Sequence, residues 1–68
     1  MFKYSVEISL KLNGVYIPDS DIHIATFDSY VDAVYFAKNI SVQDANMYEC
    51  YVYQLNENSE ILNTTRIF

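Results

Sequence analysis

Phe2-Lys3-Tyr4-Ser5-Val6-Glu7-Ile8-Ser9-Leu10-Lys11-Leu12 alternates without interruption, with every even position apolar or aromatic and every odd one polar. A period of two is that of an extended chain. The pattern predicts a strand with Phe2, Tyr4, Val6, Ile8, Leu10 and Leu12 on one covered face and Lys3, Glu7 and Lys11 toward water. A strand that is apolar on one side only belongs to an antiparallel sheet covered on one side. Asn13-Gly14 follows at once and supplies the two positive φ angles of a type I′ turn, so the chain is expected to double back. Pro18-Asp19-Ser20-Asp21 then interrupts the pairing, which leaves Asn13 to Asp21 as either a hairpin or a longer loop.

Ile22 to Phe27 reads as a second strand, although its alternation is less clean (Ile22, Ile24 and Thr26 against His23, Ala25 and Phe27). Asp28 and Ser29 can both cap a helix, and Ser29 with Asp32 three residues later imitates a capping box. The helix runs to about Ile40, with Tyr30, Ala33, Phe36, Ala37 and Ile40 at the spacing of one apolar face. Ser41 to Asn46 reads as a polar connection, Met47 to Leu55 as a third strand, Asn56 to Glu60 as a turn and Ile61 to Phe68 as a fourth strand. The predicted fold is α+β: a four-stranded, mainly antiparallel sheet made of two hairpins, with one helix packed across one face, in the order β-β-α-β-β.

The chain has 68 residues, 51% of them hydrophobic, with one glycine and one proline, so residues 1–68 form a single small domain rather than a disordered or fibrous segment. A folded monomer of this size hides only about 60% of the surface its unfolded chain exposes, which makes covering by a partner or a second copy a natural source of stability. One cysteine and one histidine cannot make an internal disulfide or a cysteine and histidine zinc cluster. No basic stretch followed by an apolar run opens the sequence, and no run approaches the roughly 20 apolar residues of a membrane span, so the expectation is a cytoplasmic protein with a reduced thiol.

Few residues offer chemistry. Cys50 with His23 is the one conceivable thiolate pair, but Cys50 shares a strand face with Tyr48 and Val52, as an inert buried cysteine would. Asp19-Ser20-Asp21 resembles the opening of a calcium loop, yet counting from Asp19 puts His23 at the fifth position, Ile24 at the sixth and Tyr30 at the twelfth, where an oxygen ligand, glycine and glutamate are needed. A single glycine, Gly14, excludes the usual glycine-rich phosphate cradles. No catalytic residue, metal ligand or cofactor is therefore assigned, and the chain is read as not an enzyme.

Charge and tyrosine carry more. From Asn13 to Glu60 there are eight acids against Lys38 alone, a balance of −7, while each terminal strand contributes +1. If the terminal strands lie side by side, the acids rim the turns and the helix start and leave a milder face carrying Lys3, Lys11 and Arg66. Such a balance repels nucleic acid and anionic membranes and favours docking on a basic protein surface. Seven tyrosines stand in the chain. Tyr4, Tyr30 and Tyr48 are assigned to the core, whereas Tyr51 and Tyr53 alternate with Cys50 and Val52 and project, with Glu49, to the opposite side, where a partner or a second copy would cover them. The candidate partner-binding residues are Asp19, Asp21, Asp28, Asp32, Glu49, Tyr51 and Tyr53.

Phe27-Asp28-Ser29-Tyr30-Val31-Asp32-Ala33-Val34-Tyr35-Phe36-Ala37, followed by a tyrosine-rich hairpin, resembles small proteins encoded by phages and mobile elements, in which such a helix start sits between two hairpins. The resemblance implies a β-β-α-β-β domain and a set of roles that includes acidic inhibitors of host defence nucleases. The expected function is a protein-interaction module of that type, binding a basic, nucleic-acid-handling protein. The alternative is an accessory domain that forms a homodimer through the Tyr51 and Tyr53 face.

Overall fold

A computed structural model describes residues 1–40 and 47–68. β1 (Lys3–Leu12), β2 (Val15–Tyr16), β3 (Ile22–Phe27), α1 (Tyr30–Lys38), β4 (Tyr48–Leu55) and β5 (Ile61–Arg66) follow one another in an α+β fold. The four longer strands are those expected, and β2 is a two-residue addition. Asn13 and Gly14 take φ of 53° and 79°, the positive pair of the predicted turn, and bring Leu12 opposite Val15 and Lys11 opposite Tyr16. Pairing stops at Pro18, which has no N–H to give. Ser20 then ties the loop down: its hydroxyl donates to the Ile17 carbonyl at 2.6 Å and accepts from the Leu10 N–H at 3.0 Å. From there β3 returns along the same edge of β1.

β4 pairs antiparallel with the other edge of β1 and β5 antiparallel with β4, so the sheet runs β3, β1, β4, β5, with β2 prolonging the β3 edge. The terminal strands are thus not neighbours. Both edges of β1 are taken, because α1 carries the chain across the sheet so that β4 lies parallel to β3 with β1 between them. The predicted connection at 41–46 lies outside the described residues.

Val6 and Ile8 of β1, Cys50 and Val52 of β4 and Ala33 and Ala37 of α1 form the buried core. The two alanines bring the helix backbone close to the sheet, and Tyr4, Phe27, Val34, Phe36, Ile40, Tyr48, Ile67 and Phe68 pack around them. Ser29 caps the helix as predicted, with its hydroxyl accepting from the Asp32 N–H at 3.3 Å. Three residues expected in the core lie outside it. Phe2 and Leu12 lie beyond the reach of the nine-residue helix and stay exposed. Tyr30 also stands at the surface, edge-on to Tyr4 at 5.7 Å, with its hydroxyl 3.3 Å from Thr65 Oγ1. In β3 the register slips between Val6 and Glu7, so Ile24 is bulged out and Ala25 and Phe27 share the side of Val6 and Tyr4.

Candidate interaction face

With α1 on one side of the sheet, the odd positions of β1 face the other. Ser5 lies opposite Tyr53 and Glu7 opposite Tyr51 on β4, and those tyrosines lie in turn opposite Thr64 and Arg66 on β5. Tyr51 and Tyr53 therefore share the helix-free face, their rings 6.0 Å apart and 21° from parallel. Neighbours two residues apart on one strand cannot avoid each other when both carry rings, and stacking covers part of each ring from water.

Glu49 stands beside this pair. Its Oε2 accepts from the Tyr51 hydroxyl at 2.7 Å, and its Oε1 lies 3.3 Å from Arg66 Nη2 and 3.6 Å from Lys11 Nζ. The bond from Tyr51, with the charges of Arg66 and Lys11, holds the Glu49 carboxyl below the usual carboxylate range against the opposing effect of burial. The same bond, helped by desolvation and by the Glu49 charge, pushes the Tyr51 phenol up to about 12. Tyr53 is raised as well, first by burial and then by the charges of Asp21 and Glu7.

Toward β3 the face is polar. Ser9 Oγ and, at 3.2 Å, the Tyr16 hydroxyl both donate to Asp21 Oδ1. Desolvation and the Asp21 charge raise Tyr16 in turn. Ser5 Oγ lies 3.0 Å from Glu7 Oε2 and 2.9 Å from His23 Nδ1, while His23 Nε2 lies 3.1 Å from Thr26 Oγ1. With the serine proton given to Glu7, His23 Nδ1–H donates to Ser5 and Thr26 donates to Nε2. A serine, a histidine and an acid meet here, but the acid holds the serine instead of orienting the histidine, and Ser5 is only 2% exposed. Ser5 and Ser9 are buried on a face that the sequence assigns to water, because small side chains lie beneath the larger groups of three strands.

Of the seven residues expected to meet a partner, Asp21, Glu49, Tyr51 and Tyr53 gather on this face. Asp19 occupies the loop before β3 at a φ of 59°. Asp28 pairs with Lys3 beyond the end of β3, and Asp32 opens α1 on the covered side. The acids thus form no single patch, since β3 holds one edge of the sheet and α1 crosses the other surface. Sequence reading missed Ser5, Ser9 and Tyr16 and weighed His23 only as a partner for Cys50; two small odd positions in β1 were the available signal. Cys50 and His23 lie on opposite sides of the sheet, and burial pushes the Cys50 thiol up. Among the described residues no group of three or more His, Cys, Asp or Glu side chains is placed to hold a metal ion, and no helix is long and apolar enough to cross a membrane. Comparison of the chain with protein-family models, with characterised proteins and with solved structures finds no match.

Proposed function

We propose that the chain is a non-enzymatic protein-interaction module, an acidic inhibitor of the phage type that binds a basic surface of a host defence or other nucleic-acid-handling protein in the cytoplasm. The observation that carries this reading is the stacked Tyr51 and Tyr53 pair on the face without a helix, close enough to Asp21, Glu7 and Glu49 for their charges to raise Tyr53. Rigid amphipathic rings bordered by carboxylates suit a partner surface of arginine and lysine stems, which offers apolar length and positive charge together. The net charge of −5 sets the sign of the encounter.

The test is capture of partners by the tagged chain from lysate of the host, with elution by a salt step from about 0.1 to about 1 M, over which the screening length shrinks from roughly 10 to roughly 3 Å. The expected result is a basic protein that elutes with salt and is lost when Asp21→Lys and Tyr53→Ser are combined. Capture indifferent to both salt and the double change would overturn the reading.

A second reading has its own support. Glu49 and Glu7, beside the two rings, are matched by Lys11 and Arg66, so this part of the face is aromatic and nearly neutral and suits a second copy of the chain. Sedimentation over a concentration series decides: dimerisation abolished by Tyr51→Ser with Tyr53→Ser favours the homodimer, and a monomer throughout removes it.

A further inference from the structure

Asp32, Tyr35, Phe36, Asn39 and Ile40 follow the helical spacing of three and four residues along one flank of α1 and its C-terminal end. With Phe27 they enclose an open cleft of about 360 Å³. This stripe is distinct from Ala33 and Ala37, which hold the helix to the sheet. Phe27 and Phe36 form an aromatic wall, with ring centroids 5.2 Å apart. Tyr35 is 72% exposed and Asp32 is exposed as well, while the Asn39 amide is already committed to the Tyr35 carbonyl at 2.7 Å. Beside the cleft, β3 pairs with β1 and with no other strand among the described residues. The bulge at Ile24 breaks its ladder, so the regular part of that edge is Ala25 to Phe27, next to the cleft.

The volume suits one long side chain, since it falls near the lower bound of roughly 300 Å³ for small-molecule pockets. Aromatic walls with one carboxylate select a cationic head on an apolar stem. Arginine meets both demands better than lysine, because its planar guanidinium stacks on a ring and takes a carboxylate in a fork. An extended segment laid along Ala25 to Phe27 would place alternate side chains on the side where the cleft opens. Charge opposes a second copy at this edge: Asp19 and Asp21 precede β3 and Asp32 follows it, with Asp28 already paired with Lys3, so self-pairing would set acids against acids, whereas a basic segment is matched at both ends.

We propose that the β3 edge and the cleft behind it receive an extended, arginine-bearing segment of a protein partner, whose backbone continues the sheet and whose guanidinium lies between Tyr35 and Asp32. This inference rests on the reading of the chain as an acidic interaction module and names one element of the partner it would recognise.

The probe is a blocked pentapeptide of alternating valine and threonine with a central arginine, compared with the same peptide carrying neutral citrulline, each titrated against the isotope-labelled chain and followed by amide NMR shifts. Saturable shifts are expected at Ala25 to Phe27 and along Asp32 to Ile40, with the citrulline peptide about tenfold weaker. Asp32→Asn should bring the arginine peptide down to that level. Its cost to folding is small, since the Ser29 cap uses the backbone N–H of residue 32. Ile61→Thr, at an exposed position on the opposite edge of the sheet, should leave binding unchanged. Equal affinity for the two peptides, or no saturable shift, overturns the proposal. Shifts confined to Tyr51 and Tyr53 overturn it while leaving the acidic-module reading standing, which falls instead on capture indifferent to both salt and the combined Asp21→Lys and Tyr53→Ser change. Concentration-dependent shifts of the β3 amides without peptide would show a second copy at this edge and also overturn it.

Discussion

Glu49 accepts a phenol proton while facing two cations, and this arrangement ties its ionisation to that of Tyr51 in opposite directions. A carboxyl held below its ordinary value of 4.5 adds stability that is complete above that value and is lost as pH falls through the lowered one. A phenol raised from 10.0 to about 12 adds stability that is complete below pH 10 and disappears as pH climbs between those values. Glu49→Gln should therefore lower the Tyr51 titration toward 10, read by NMR of ring-labelled tyrosine, and should flatten the loss of thermal stability at acid pH. An unmoved Tyr51 midpoint would mean that burial, not the carboxylate, sets it. Which face of β4 is buried was not legible in the sequence, but that Tyr51 and Tyr53 stand opposite Cys50 and Val52 was, because alternation is a local property. The burial of Ser5 and Ser9 was not, since it depends on groups supplied by β3 and β4, remote in sequence.

At the scale of elements, α1 has nine residues, too few to hold a helix in water by propensity alone, so its cap and its contact with the sheet decide whether it forms. Ser29→Ala leaves the first turn without its side-chain acceptor and should cost about 1 kcal/mol in urea unfolding, within a usual range of about 0.5–2. Gly14→Ala tests the other local signal. No atom lies within 4 Å of an added Cβ, so the roughly 1–2 kcal/mol expected comes from the left-handed backbone at φ +79° alone. Both features could be read from adjacent residues. The uneven alternation of Ile22 to Phe27 could not be resolved that way: the bulge at Ile24 exists only in the pairing with β1, and single-strand periodicity cannot tell a bulge from a weak strand. The cleft escaped notice for a related reason. Phe36 and Ile40 belong to the apolar stripe read from the sequence and also line the cleft, and only the placement of α1 beside Phe27 separates the two roles.

For the whole molecule, six buried apolar residues among those described carry the core of a 68-residue chain, and typical stability at this size is roughly 3–10 kcal/mol. Ile8→Ala removes the largest aliphatic side chain among them and should cost about 2–5 kcal/mol, enough to leave a large unfolded fraction at physiological temperature. Calorimetry showing an unchanged transition would mean that the helix closes onto the gap. Strand order was the part of the architecture that sequence did not reach, because it depends on which edge of β1 the chain meets after α1. With that order settled, Asp28 and Asp32 part from Asp21 and Glu49, and two surfaces replace the single acidic rim.

The central place of β1 also governs how the protein is made. Made before the other described strands, β1 meets β2, β3 and α1 in sequence, and hairpins form within about 1–10 μs. Its second edge and the apolar floor beneath the helix must wait for β4, and at roughly 5–20 residues per second the stretch from Ile40 to Leu55 takes about 1–3 s to synthesise. Until β4 has docked, each newly made chain displays a bare, regular strand edge beside an open apolar surface. Unfinished copies at high concentration are therefore where neighbouring chains would pair wrongly, and the yield of native protein on refolding should fall as chain concentration rises, without a single side chain being altered.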